Sequence, residues 1–85
     1  MILSWSENAW EDYLYWQKTD KQKLRKINEL IKKIKRSSYE GLGKPEPLKH
    51  SLQEYWSRRI DIEHRLVYKA ENNTLIIAQC RLHYT

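Results

Sequence analysis

One cysteine, two glycines and two prolines occur in 85 residues, and phenylalanine is absent. The lone Cys80 excludes an internal disulfide. No apolar run approaches the ~20 residues that span a bilayer. The opening MILSWSENAW has no basic stretch ahead of an apolar one, so no secretory signal peptide is expected. Together with the cysteine usage, these absences predict a reducing cytoplasm and no membrane partner. The three histidines and single cysteine match no metal-site spacing, and no cofactor is expected.

What is present suits one domain, residues 1–85. A chain this small has a thin core, and Trp5, Trp10, Trp16 and Trp56 are expected to fill much of it. The formal net charge of +5 and pI near 9.4 point to a polyanionic partner. Lys21, Lys23, Arg25, Lys26, Lys32, Lys33, Lys35 and Arg36 crowd one segment, opposed only by Glu29. A solvated helix face accounts for that run at least as well as a binding patch.

ILSW reads as a short strand. Ser6 is placed to cap a following helix whose apolar face holds Trp10, Tyr13, Leu14 and Trp16. Thr19, three residues before Gln22, has capping-box spacing for a second helix. That helix repeats Leu24, Ile27, Leu30, Ile31 and Ile34. All the glycine and proline falls in SSYEGLGKPEP, which ends the helical pattern. From Arg59 the residues alternate: Ile60, Ile62, Leu66 and Tyr68 share one parity, Arg59, Asp61, Glu63 and Arg65 the other. After a turn at ENN, a strand from about Leu75 to Tyr84 should turn Ile76, Ala78, Cys80 and Leu82 to the core, and Gln79, Arg81 and His83 away. The expected fold is α+β: a short N-terminal strand, a two-helix hairpin, then a twisted antiparallel sheet.

On this reading Arg59 and Arg65 project from one polar face, with His83 on the polar face of the neighbouring strand. A core has no use for that concentration of cations. A phosphodiester does: guanidinium groups hold the phosphate and its developing charge, and an imidazole gives up a proton near neutral pH. GKPEPLKH adds Glu46, stiffened by Pro45 and Pro47, with Lys44 and Lys49 beside it. Base, acid and anion clamp are the parts of a metal-free RNA cleavage. Glutamate is ordinarily a weak base at neutral pH, so either its environment strengthens it or positioning supplies much of the rate.

DYLYWQKTD, KINELIK, GKPEPLKH, WSRRI, EHRLVY and CRLHY occur in this order along the chain. The ordered set resembles the YoeB family of the RelE/ParE toxin superfamily over essentially its whole length. The resemblance implies a RelE-like microbial ribonuclease fold and an endoribonuclease that cuts messenger RNA in the ribosomal A site. It implies a YefM-type antitoxin partner, contact with operator DNA only through the antitoxin complex, and room for a homodimer. Carried over by position, Glu46 matches the family's general base and His83 its general acid. Arg65 matches the arginine at the scissile phosphate, and Tyr84 the aromatic beside the substrate base. Lys49 and Arg59 match surrounding basic residues that bind RNA. Thr85, the turn KAENNT and the stretch KKIKRSS depart from the family pattern.

Two rival functions fit parts of this. A gyrase-type toxin of the ParE branch does not need Glu46, Arg65, His83 and Tyr84 together. A non-enzymatic RNA-binding protein needs the cations and aromatics and is indifferent to Glu46. Taken singly, Cys80 reads as a small buried hydrophobe, His64 as a strand residue with a local partner, and His50 as unassigned. Tyr84 shares parity with the core residues, so a twist or bulge is needed to turn it outward.

Overall fold

The computed structural model describes residues 1–49 and 52–82. Two helices lie on a five-stranded sheet. β1 (Ile2–Trp5), α1 (Glu7–Thr19), α2 (Lys21–Arg36), β2 (Glu46–Pro47), β3 (Trp56–Arg59), β4 (Arg65–Glu71) and β5 (Thr74–Gln79) follow in that order. The strands line up as β1-β5-β4-β3-β2. β2 to β5 pair antiparallel, as expected for the second half of the chain. The N-terminal strand joins the same sheet, parallel to β5, so the sheet is mixed.

Ser6 caps α1 as its position implies: its Oγ accepts from the Ala9 N–H at 3.0 Å and donates to the Ala78 carbonyl at 2.8 Å. The second cap is Asp20 instead of Thr19. Asp20 Oδ1 accepts from the N–H groups of Gln22 and Lys23 at 3.0 and 3.3 Å. Thr19 is still helical and donates its hydroxyl to the Tyr15 carbonyl. A carboxylate can accept from two N–H groups at once and also suits the positive end of the helix, which favours Asp20.

The buried stripe of α2 is Ile27, Leu30, Ile31 and Ile34, as its periodicity predicts. α1 differs from expectation, because it buries Ala9, Asp12 and Trp16. Trp10 stays 46% exposed, stacked on Tyr13 at a ring separation of 5.9 Å. Leu3, Trp5, Tyr13, Leu24, Leu42 and Trp56 pack around the buried cluster. The exposed positions on α2 include Lys21, Arg25, Lys32, Lys33, Lys35 and Arg36, so most of this basic run faces away from the core.

The predicted alternation from Arg59 to Tyr68 is broken. β3 ends at Arg59, a bend covers 60–63, and β4 begins at Arg65. Ile62, expected in the core, is 92% exposed at that bend. The parity expected for β5 also fails. Leu75 and Ile77 are buried, Ile76 and Ala78 only partly so, and Leu82 is exposed. The register explains this. Tyr68 pairs Ile77 while Val67 pairs Gln79, leaving Ala78 as an extra residue in β5. A bulge of this kind reverses the faces of everything beyond it. Cys80 therefore reaches the core from even parity, whereas the core residues before the bulge have odd parity.

Arg58 is the least expected core residue. It is 0% exposed. Nη1 donates to the Leu42 carbonyl at 2.9 Å, and Nη2 to the Ser37 and Glu40 carbonyls at 2.6 and 2.8 Å. Nε donates to the Tyr68 hydroxyl at 3.1 Å, which donates in turn to the Ser38 carbonyl at 2.6 Å. The guanidinium thus ties the end of α2 and the loop after it to the sheet, where the negative end of the helix favours a cation. Gly43 completes the seam. At φ +87° a side chain would be strained, and its Cβ would be crowded, 3.0 Å from Leu30 Cδ2 and 3.1 Å from Arg58 Cβ. Arg58 and Gly43 together fix the loop that delivers Glu46.

Candidate active site

The helices cover one face of the sheet, burying Leu66, Tyr68, Leu75 and Ile77. Residues directly opposite one another in an antiparallel pair point to the same face, and every second residue returns to it. Glu46 pairs Ser57. Ser57 pairs Val67, and Arg59 pairs Arg65. Glu46, Ser57, Arg59, Arg65 and Val67 therefore share the face away from the helices. Arg59 and Arg65 come together as cross-strand partners on β3 and β4, not as neighbours along one strand, because the bend at 60–63 folds the chain back. Three of the sequence-derived residues thus stand on one face of three adjacent strands.

Glu46 is exposed on β2, at the edge of the sheet. Edge placement suits the flanking prolines, which cannot donate to a ladder on both sides. Lys49 is exposed just beyond, where its carbonyl accepts from the Leu52 N–H at 3.2 Å. Arg65 is partly buried, and its Nη1 donates to the carbonyls of Asp61 and His64 at 3.0 and 3.2 Å. Those bonds hold the guanidinium against the turn. His83 and Tyr84, together with His50, lie outside the described residues. The chain leading to them is described as far as Leu82, whose carbonyl accepts from the Arg65 N–H at 3.1 Å.

Asp61 organises the turn between β3 and β4. Its Oδ1 accepts from the N–H groups of Glu63 and His64 at 2.8 and 2.7 Å, and its Oδ2 lies 2.9 Å from Lys23 Nζ on α2. Burial opposes ionisation of this carboxyl, but the Lys23 ammonium and the two N–H groups outweigh burial and lower its pKa from 3.8 to about 2. A lowered carboxyl pKa stabilises the fold above the ordinary value, and that contribution disappears as pH falls through the lowered one. The melting temperature should therefore drop between pH 4 and pH 2. Asp61→Asn should melt lower at neutral pH and lose part of that acid dependence. Parallel pH–melting curves for the two proteins check this, and identical acid slopes would count against it.

Cys80 is fully buried, and its thiol is pushed up to about 12 by burial and then by the Asp12 carboxylate. An inert core thiol fits this environment. His64, which the sequence suggests as a strand residue, lies in the turn before β4 and is buried there. Its edge-on contact with the Trp16 ring, 4.8 Å between centroids, fixes it in place. Arg58 and His64 support the site, and the sequence pattern does not reveal that. Both stand next to residues singled out for chemistry, in WSRRI and EHRLVY, and adjacency was the only signal. Among the described residues, no group of three or more His, Cys, Asp or Glu side chains is gathered as a metal site requires, and no helix is long and apolar enough to cross a membrane.

This fold is shared with small bacterial toxins. The DinJ–YafQ complex of Escherichia coli contains a chain that superposes with a TM-score of 0.80 at 20% identity, over 95% of this chain and 91% of that one. The YoeB/ParE toxin from Agrobacterium tumefaciens superposes with a TM-score of 0.95 at 50% identity, over 99% of this chain and all of that one. A chain of the YoeB–YefM complex from Staphylococcus aureus gives 0.92 at 49% identity, over 99% and 98% of the two chains. Toxin YoeB of Escherichia coli K12 is 62% identical over 84 residues, 99% of this chain and 100% of that protein. The model of the YoeB-like toxin of bacterial type II toxin–antitoxin systems matches residues 5–84. The chain belongs to that family.

Proposed function

We propose that this protein is a ribosome-dependent messenger RNA endoribonuclease working by acid–base transesterification. Glu46 takes the proton from a ribose 2′-OH. The freed oxygen attacks the adjacent phosphorus while Arg65, with Arg59 beside it, holds the phosphoryl oxygens and their developing charge. His83 protonates the departing 5′-oxygen, and Tyr84 stacks near the substrate base. Lys49 adds a further cation along the RNA. The products are a 2′,3′-cyclic phosphate, or the 3′-phosphate it opens to, and a 5′-hydroxyl.

One observation carries the reading: the register that gives Glu46, Arg59 and Arg65 a common face, with the chain anchored at Leu82 beside Arg65 on its way to His83. A protein-directed toxin has no use for a carboxylate aligned with that pair of guanidinium groups. The same cationic face suits an acidic segment of a YefM-type antitoxin, since the Staphylococcus aureus relative is known as a YoeB–YefM complex. Such a segment would cover Arg59 and Arg65 and exclude RNA.

The test is to incubate the purified protein with programmed ribosomes and map messenger 5′ ends. Cleavage should occur at the A-site codon and run much faster than on the same RNA free in solution, because the ribosome holds the messenger in line for attack. Equal rates on free and ribosome-bound RNA would show that the protein builds its whole site alone. Absence of any cut would overturn the reading.

A further inference from the structure

β5 ends at Gln79, yet the chain does not fray at once. The Cys80 N–H donates to Asp12 Oδ2 at 3.1 Å, and the Cys80 carbonyl accepts from Trp16 Nε1 at 2.8 Å. Gln79 Nε2 donates to the carbonyls of Arg81 and Leu82 at 3.0 and 3.4 Å. The Leu82 carbonyl also accepts from the Arg65 N–H at 3.1 Å. Finally, the Leu82 N–H donates to His64 Nδ1 at 2.8 Å. Leu82 itself has φ +66° and an exposed side chain. A leucine does not adopt that backbone unaided, and its side chain gains little from burial, so its backbone bonds hold it there.

A backbone N–H can only donate. The nitrogen receiving it must carry a lone pair, so Nδ1 is unprotonated and the ring proton of the neutral imidazole sits on Nε2. Nε2 lies 3.5 Å from Glu63 Oε1, and the ring is held edge-on against Trp16. The imidazole is thus fixed in both place and tautomer. We propose that His64 is a positioning residue, which clamps the backbone of Leu82, the residue before His83 in the chain. The inference rests on the reading of His83 as general acid. Acid–base chemistry loses roughly 10²-fold for a misplacement of about 1 Å. An acid carried just beyond a strand end needs an anchor next to it, and His64 supplies one from the turn that also holds Arg65.

Two substitutions separate clamping from packing. In His64→Asn the side-chain oxygen reaches about where Nδ1 stands and can still accept from Leu82. In His64→Gln the amide extends toward the place of Nε2 and leaves the Leu82 N–H without that acceptor. Amide hydrogen exchange of the full chain, read by NMR, should show Leu82 protected in the wild type and in His64→Asn. Exchange should be at least about tenfold faster in His64→Gln. At saturating ribosomes, single-turnover cleavage by His64→Gln should fall by about tenfold or more with ribosome affinity unchanged, and His64→Asn should stay close to wild type.

Equal losses in the two variants would mean packing alone and would overturn the proposal. So would a Leu82 amide freed in His64→Gln without any loss of rate. Should the Gln variant fail to fold, the wild-type imidazole nitrogen spectrum decides: a proton on Nδ1 near neutral pH overturns the clamp, and a proton on Nε2 supports it. A wild type that cuts no messenger would count against the ribonuclease reading, while the exchange contrast between the variants would still support the clamp.

Discussion

Glu46→Gln should bind programmed ribosomes as the wild type does and cleave about 10²- to 10⁴-fold more slowly. The amide keeps the size and position of the carboxylate, so ground-state contacts survive. It cannot accept the 2′-OH proton, so the step that generates the nucleophile is lost. Glu46 is exposed on a two-residue edge strand, and the substitution should leave the melting temperature near that of the wild type. This separation of rate from stability makes the test clean. Arg65→Lys is the companion variant. A lysine keeps the charge and loses the planar fork, so it should recover only part of the rate lost in Arg65→Ala. Single-turnover cleavage with separately measured ribosome binding decides both. If Glu46→Gln cut at the wild-type rate, the base would have to be sought among other groups on the open face.

The largest loss of stability is expected from Arg58→Met. Methionine fills similar space and cannot donate, which leaves the carbonyls of Ser37, Glu40 and Leu42 and the hydroxyl of Tyr68 without their partner. Leaving a buried acceptor unpaired typically costs about 1–3 kcal/mol, and several are left here, so a loss of about 3 kcal/mol or more is expected. For a domain of this size each kcal/mol moves the melting temperature by roughly 4–8 °C, so the drop should exceed about 12 °C. Because Arg58 ties down the loop before Glu46, activity should fall even at temperatures where the variant remains folded. Arg58→Lys should recover little, since a single ammonium does not reproduce the fan of donors on three guanidinium nitrogens. Thermal melts and urea titrations of both variants check this. An Arg58→Met protein as stable as wild type would mean that the loop is held by Gly43 and its packing alone.

Local rules carried the sequence reading a long way in some places and failed in others, for identifiable reasons. The stripe of α2 was legible because Ile27, Leu30, Ile31 and Ile34 follow the helical period without interruption. The Ser6 cap was legible because capping depends on three residues. The face of α1 was not, because its core-facing positions include Asp12. This polar residue is buried for its bonds to the Cys80 N–H and its approach to Arg81, partners about seventy positions away in sequence. The expected placement of Arg59 and Arg65 on one face was right, but the reason was different: they are partners across two strands. Strand parity assumes an unbroken ladder, and neither the bend at 60–63 nor the extra residue at Ala78 leaves a mark on hydrophobic periodicity.

By itself the sequence determined an α+β chain with a basic helix, a stiffened carboxylate in GKPEP, and arginines and a histidine at spacings that resemble one toxin family. Those are properties of composition, local period and motif order, which the chain carries before it folds. Only the tertiary structure decided that Glu46, Arg59 and Arg65 share a face. It also decided that Arg58 is buried while its neighbour Arg59 is exposed, and that His64 grips Leu82. Each of these depends on pairing register and on hydrogen bonds between residues far apart in sequence. One residue of bulge or bend reverses a face, so their outcome is settled only when the strands meet.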